Sequence, residues 1–356
     1  MRIADETSAY GEDDGEATQA EPATPETPTS QCLHGGALGS SASDVSFDLV
    51  IFVLSSRQKQ FSPARRREAV RRSWVRDVAG SLGDPKASAA ELCAVRHYFV
   101  VGGGRGRPHV WHDDVLVLPV ADGYTQILLK VIGALRWALV HLPFKYVLKT
   151  DDDSFVCAAR LLELLRALPR ERAYVGVVNL HHKVITAPQQ DAKYDQWRDP
   201  AYVVLFNRTV YAPYMQGAGY VLSADLAALV VRQADTLPTL PAVEDAFIGA
   251  VLDGSATPLN RPANFRHKNR DDYAVTVCEE DTEFVLLHKL DETELARCHA
   301  ATQRRRSERC PRGPCACRSL GHTPRRPKRI IATFEQAAKR QAERVKRETP
   351  QLALDG

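Results

Sequence analysis

Tyr146-Val147-Leu148-Lys149-Thr150-Asp151-Asp152-Asp153 sets a short apolar segment directly against three acids. Tyr146, Val147 and Leu148 read as a strand buried on both faces, as in the interior of a parallel sheet. Three adjacent carboxylates at its end repel one another unless a cation shares them. Alternate residues of an extended segment face the same way, so Asp151 and Asp153 converge on one point. Hard oxygen ligands of this kind favour Mg2+ or Mn2+. An acidic turn is the plainer alternative, and the buried strand ahead of the acids favours the metal.

Outward from this segment the chain alternates strands and helices. Apolar runs at 47–54, 95–101 and 115–118 read as strands, and Gly102-Gly103-Gly104 turns the second of them. This glycine-rich turn lacks the Gly-Lys-Ser ending of a phosphate-binding loop. Pro63 opens a charged helix over 64–75. An amphipathic helix spans 122–141, with Ile127, Leu128, Val131, Ile132, Leu135 and Leu139 on one stripe. A further helix is expected over 158–168. Beyond Arg172 the pattern predicts short strands at 174–178 and 202–205, helices at 224–232 and 243–252, and a late strand at 284–287. The fold class is therefore α/β, with a mostly parallel sheet covered by helices. Ligands in such sheets bind outside the carboxyl ends of the strands, where the three acids stand.

The flanks differ in composition. Residues 1–46 are acidic and poor in large apolar groups, which predicts disorder. The far end, 304–347, is strongly basic although the whole 356-residue chain carries only +3. It has few interleaved aromatics, which argues against a nucleic-acid partner. No apolar run spans a bilayer and no signal-peptide pattern opens the chain, so a membrane anchor is not visible. Of eight cysteines, Cys93 and Cys157 sit in apolar settings, whereas Cys278, Cys298, Cys310, Cys315 and Cys317 crowd the last third. That cluster implies disulfides in an oxidising compartment, or a zinc knuckle. Asn207-Arg208-Thr209 fits an N-glycosylation sequon. A basic helix is expected at 330–346, and His181-His182 reads as a polar turn.

Two further groups carry chemistry. Glu244-Asp245 opens a helix after Pro241, where the helix dipole favours anions. His288 follows the apolar segment 284–287. Taken alone, each has an ordinary structural explanation.

Together, these residues resemble glycosyltransferase family 31, the β-1,3-galactosyl- and β-1,3-N-acetylhexosaminyltransferases. The matches run in the family's order over about 47–288. Arg66-Arg67-Glu68-Ala69-Val70-Arg71-Arg72-Ser73-Trp74 is similar to R-R-x-x-I-R-x-T-W. Phe99-Val100-Val101-Gly102 matches F-x-x-G. Asp122-Gly123-Tyr124 with Lys130 resembles D-x-Y-x-N-L-T-x-K, and the segment ending at Asp153 resembles K-x-D-D-D. Gly217-Ala218-Gly219-Tyr220-Val221-Leu222-Ser223 resembles G-G-G-Y-V-L-S. Glu244-Asp245-Ala246-Phe247-Ile248-Gly249 resembles E-D-V-x-x-G, and His288 falls where the family has a late His. Gln126, Leu128 and Ala218 depart from these patterns. Cys310 to Cys317 is similar to the C-x-D-P-C-x-C of an N-acetylgalactosaminyl-transferring branch.

The resemblance implies a GT-A fold over 47–295, with a nucleotide-sugar half at 47–155 and an acceptor half at 156–295. A Cys-rich segment, 296–320, and a basic tail, 321–356, follow. It implies an inverting, Mn2+-dependent transfer of Gal, GalNAc or GlcNAc from a UDP-sugar in β-1,3 linkage to a glycan or glycoprotein acceptor. Asp151, Asp153 and His288 would hold the metal, and Asp245 would be the general base. Arg71, Asp122, Lys130, Asp151, Asp152, Gly217 and Gly219 would contact the donor. The implied location is the Golgi or ER lumen. A catalytically inactive carbohydrate-binding module on the same fold is the alternative. A phosphohydrolase would need a second metal cluster that the sequence does not offer.

Overall fold

The computed structural model describes residues 47–58, 62–80, 95–267, 278 and 283–309. The head at 1–46, Cys32, Cys93, Cys310, Cys315, Cys317, the helix expected at 330–346 and the tail at 321–356 lie outside them.

Strand β1 (Phe47–Leu54) shows why a continuous apolar run becomes a central strand. Leu49, Ile51 and Val53 enter the core on one side, and Val50, Phe52 and Leu54 the core on the other. Fully burying each such side chain contributes about 1.5–3 kcal/mol. Parallel to β1 lie β2 (Val95–Val101) and β5 (Phe144–Asp151). β4 (Val115–Val117) extends the sheet beside β2, and β3 (His109–Trp111) closes that edge antiparallel. On the other flank β10 (Gly219–Ser223) runs antiparallel between β5 and β7 (Ala173–Gly176), and β11 (Thr257–Asn260) pairs parallel with β7. The eight-stranded order is β11-β7-β10-β5-β1-β2-β4-β3. Strands from after residue 155 thus continue the sheet begun before it.

Helices cover both faces, completing three layers. Helices α1 (Pro63–Arg72), α2 (Trp74–Gly80), α4 (Ala158–Arg166) and α9 (Glu292–Arg309) contribute Val70, Trp74, Leu161, Leu165, Leu295 and Cys298 to one core. Helix α3 (Ile127–His141), α7 (Ala224–Thr236) and α8 (Glu244–Leu252) contribute Leu128, Leu135, Leu226, Val230 and Phe247 to the other. The expected α/β class with a mostly parallel sheet is what the chain builds.

A smaller sheet stands at the edge where β5 ends. β6 (Ser154–Val156) pairs with β13 (Leu286–His288), which pairs with β12 (Phe265–His267). The register sets His288 opposite Ser154, one residue after the third acid. Two short strands, β8 (Val178–Asn179) and β9 (Tyr214–Met215), pair separately.

Some elements differ from expectation. The segment at 202–205 is helical, within α6 (Pro200–Phe206), which follows the single-turn helix α5 (Ala192–Asp195). Asp199 caps α6 by accepting from the Tyr202 N–H, and Pro200 occupies the first turn, where its missing N–H has no cost. These end signals override the β propensity of Tyr202, Val203 and Val204. The helix expected from 122 begins at Ile127, after a 3-10 turn at Tyr124–Gln126. The helix expected to run to 168 ends at Arg166. Strand β3 was not anticipated; its three side chains are all exposed, so burial left no pattern to read. Among the described residues, no helix is long and apolar enough to cross a membrane.

Candidate active site

The carboxyl ends of β1, β2, β4 and β5 share one edge with the amino end of β10. The register places Leu54 beside Asp151 and Gly219 beside Thr150. The candidate residues from distant parts of the sequence meet along this edge, except Arg71, which turns away from it.

The acids divide as strand alternation requires. Asp151 and Asp153 point the same way and converge with His288. His288 Nε2 lies 3.5 Å from Asp151 Oδ2 and 3.1 Å from Asp153 Oδ1. One ligand atom from each of the three falls within 4.8 Å of the others. The Asp153 Oδ1 is buried yet accepts no well-formed hydrogen bond. Two hard carboxylate oxygens, one of them so placed, and one imidazole nitrogen suit a divalent cation. Burial lowers the His288 pKa, but the carboxylates of Asp151 and Asp153 facing its Nε2 outweigh burial and raise the value to about 9. Burial raises the Asp151 pKa, but Lys149 and His288 prevail and hold it at about 2. Asp152 points the other way. It accepts from Ser55 Oγ at 2.7 Å, and burial pushes its carboxyl up to about 6. Asp152 therefore fastens β5 to the end of β1 and does not join the cluster.

Lys149 links this cluster to the second acidic pair. Its Nζ lies 2.9 Å from Asp151 Oδ1 and 3.6 Å from Glu244 Oε2, and it donates to the Gly217 carbonyl. Burial lowers the lysine's pKa, but Asp151 and Glu244 more than reverse that. Glu244 is itself buried, with the Tyr220 hydroxyl donating to it, and burial raises its pKa to about 7. Asp245 is more open. Its Oδ2 accepts the Gly217 N–H at 2.8 Å and its Oδ1 the Ala246 N–H at 2.9 Å. Burial is the largest influence on it and raises its pKa to about 6, against the pull of Lys149.

The two glycines of the 217–219 turn are required for close packing. A Cβ on Gly217 would meet Asp245 Oδ2 at 3.0 Å, and one on Gly219 would meet a Leu286 methyl at 2.3 Å. The first keeps the Asp245 carboxylate in place, and the second lets β13, which carries His288, pack over β10.

Asp122 and Lys130 form a buried pair at 3.0 Å, with side chains 6% and 5% exposed. Asp122 also accepts the Arg57 N–H at 2.7 Å and the Gly102 N–H at 2.9 Å, and Lys130 donates to the Ser55 carbonyl at 2.8 Å. The pair ties together the loops leaving β1, β2 and β4. Arg71 turns to Asp114, with bonds of 2.7 and 2.9 Å, and lies over the Phe99 ring. Its neighbours reach the edge itself. Arg67 donates to Ser55 Oγ and the Ser56 carbonyl, and the partly exposed Arg66 lies 3.5 Å from Asp152. Arg66 and Arg67 stand in the same arginine-rich stretch of α1 as Arg71. Helical spacing gave no sign of which arginine would face the site.

Cys278 and Cys298 form a disulfide. The sequon residues Asn207, Arg208 and Thr209 are exposed at the end of α6.

The galactosyltransferase family pattern matches residues 65–261, more than half of the 356-residue chain. Hydroxyproline O-galactosyltransferase GALT5 of Arabidopsis thaliana is 27% identical over 57% of this chain and 29% of its own. UDP-GlcNAc:betaGal beta-1,3-N-acetylglucosaminyltransferase 7 of Rattus norvegicus is 29% identical, over 53% of this chain and 47% of its own. Beta-1,3-galactosyltransferase 6 of Mus musculus is 34% identical, over 45% and 48%. The chain thus spans less than half the length of each of these relatives. Among solved structures, the WbbM bifunctional glycosyltransferase aligns over 75% of this chain and 51% of its own, at 12% identity and a TM-score of 0.41. With the family pattern running through α1, β5 and the turn that holds Asp245, the chain belongs to the galactosyltransferase family, glycosyltransferase family 31.

Proposed function

We propose that the chain is an inverting hexosyltransferase that moves Gal, GalNAc or GlcNAc from a UDP-sugar, in β-1,3 linkage, to a glycan acceptor. One observation carries the reading. A three-ligand cluster and a carboxylate raised to about 6 stand at one sheet edge, joined through Lys149 and the Gly217 turn.

Asp151, Asp153 and His288 would hold Mn2+. A divalent ion there supplies Lewis-acid neutralisation of the departing diphosphate. The remaining work belongs to the side chains. Lys149 keeps Asp151 ionised and fixes the Gly217 turn. Asp122 and Lys130 hold the three loops that would cradle the nucleotide, and the guanidinium of Arg66 adds positive charge beside them. Asp245 accepts the proton of the acceptor hydroxyl at its carboxylate. The hydroxyl oxygen bonds to the anomeric carbon, and the bond to the UDP oxygen breaks with its electron pair leaving on UDP. The nucleophile must approach opposite the leaving phosphate, so base and metal cluster belong on different sides of the sugar. Residues 47–155 would serve chiefly the donor and 156–295 chiefly the acceptor, with His288 and the Gly217 turn of the later half reaching across to the metal and the donor.

The Cys278–Cys298 disulfide and the exposed sequon at Asn207 support a lumenal setting in the Golgi or ER. UDP release with UDP-Gal, UDP-GalNAc and UDP-GlcNAc, with Mn2+ and with excess chelator, tests the reading. Metal-dependent release from at least one donor is expected. Binding of donor without release would point instead to an inactive carbohydrate-binding module.

A further inference from the structure

Where the turn before α3 meets the segment before Asp199 lie aromatic side chains that neither the core nor the proposed chemistry uses. Tyr124 is 48% exposed and Tyr194 47% exposed, and contacts through Trp197 join them into one group. The Trp197 Nε1–H donates to the Tyr124 hydroxyl at 2.6 Å, across 73 residues of sequence. The Tyr194 ring meets Trp197 edge-on, with centroids 5.7 Å apart.

Both ends of this group are anchored. Tyr124 follows Asp122 by two residues, and Asp122 is locked to Gly102, Arg57 and Lys130. Trp197 precedes Asp199 by two residues. Asp199 is buried and accepts the N–H groups of Ala242 and Val243, at the start of the helix that carries Asp245. The aromatic segment and the candidate base therefore share one support. Arg198 and Asp195, an exposed ion pair 3.4 Å apart, give the group a polar rim.

We propose that Tyr124, Trp197 and Tyr194 form a platform for the acceptor saccharide, holding a pyranose ring so that its hydroxyl faces Asp245. Rigid aromatic faces beside polar edges suit a ring with apolar C–H faces and a hydroxyl rim. Each ring offers large contact area with few torsions to freeze, and such anchors concentrate binding energy. The proposal rests on the transferase reading above.

The test measures KM for methyl β-galactoside and methyl β-N-acetylglucosaminide, together with the Kd of UDP in Mn2+. Tyr124→Ala and Trp197→Ala should each raise acceptor KM about tenfold or more, equivalent to the loss of one stacking contact. The Kd of UDP should stay within about twofold. Tyr124→Phe and Trp197→Phe keep a ring and should recover most of the loss, which a purely structural role for the hydrogen bond would not allow. Unchanged acceptor KM in the Ala variants would overturn the platform and leave the transferase standing. Equal weakening of UDP would also overturn it, by making the rings a nucleobase site. So would a wild type that uses a hydroxyproline peptide and neither glycoside. A wild type that binds no UDP in Mn2+ would overturn the transferase reading itself.

Discussion

The Gly217 N–H donates to Asp245 Oδ2 at 2.8 Å, so a backbone turn aims the carboxylate proposed to accept the acceptor's proton. The same glycine gives its carbonyl to Lys149, which holds Asp151 of the candidate metal cluster. One residue thus connects the two halves of the proposed chemistry.

Gly217→Ala should show this connection. The added Cβ would stand 3.0 Å from Asp245 Oδ2, so the carboxylate must move by a few tenths of an ångström. Misplacement of a catalytic group on the scale of 1 Å is worth about a hundredfold, so a fall in turnover of about tenfold is expected. UDP affinity should change far less. Steady-state kinetics beside a UDP titration checks it, and unaltered turnover would show that the turn does not aim the base.

The pH profile follows from the raised carboxyl of Asp245. A base must be ionised to accept a proton, and burial raises the Asp245 pKa to about 6. Turnover should therefore be near maximal above about pH 7 and fall as pH drops through 6. An acid limb at the ordinary carboxylate value, near 4, would contradict the assignment. The limb should be absent from whatever activity Asp245→Asn retains.

Asp122 and Lys130 should matter most for stability. Both are buried, and each uses its remaining capacity on backbone groups of the surrounding loops. Lys130→Met leaves the Asp122 carboxylate buried without its cation. Breaking such a pair destabilises by about 3–5 kcal/mol. Denaturant unfolding measures this directly. A loss of UDP binding with unchanged stability would instead make Lys130 a direct ligand contact.

Reduction of the Cys278–Cys298 bond should lower thermal stability. The bond closes a loop with a sequence separation of 20 and fixes α9 to the core that backs β13. Loop-closure entropy for that length gives about 3 kcal/mol. Thermal melts with and without reductant, and of Cys278→Ser/Cys298→Ser, should agree. An unchanged melting temperature would remove the disulfide from the account.

How far the sequence could be read depended on which force decided each element. The strands at 47–54 and 144–151 are buried on both faces, as are the last three residues of 95–101, so their apolar runs gave sufficient notice. Alternation along an extended strand was enough to separate Asp151 and Asp153 from Asp152. The helix at Pro200–Phe206 was misread because its sign lies in the Asp199 cap and in Pro200, not in its β-branched interior. Arg71 and its neighbours Arg66 and Arg67 share one helix and one charge, and only packing against Phe99 and Asp114 decides which guanidinium leaves the sheet edge. The aromatic group at Tyr124, Tyr194 and Trp197 had no sequence spacing to reveal it, because a hydrogen bond over 73 residues assembles it.

The most direct test of the central claim measures turnover and Mn2+-dependent UDP binding side by side for two variants. Asp245→Asn keeps the size of the side chain but cannot take up the proton. It should lower turnover by about 10²–10⁴-fold while UDP binds nearly as before. Asp153→Asn should instead weaken UDP binding and remove its dependence on Mn2+. Near-normal turnover in Asp245→Asn, or a loss of UDP binding as large as that of Asp153→Asn, would contradict the separation of base and metal on which the proposed mechanism depends.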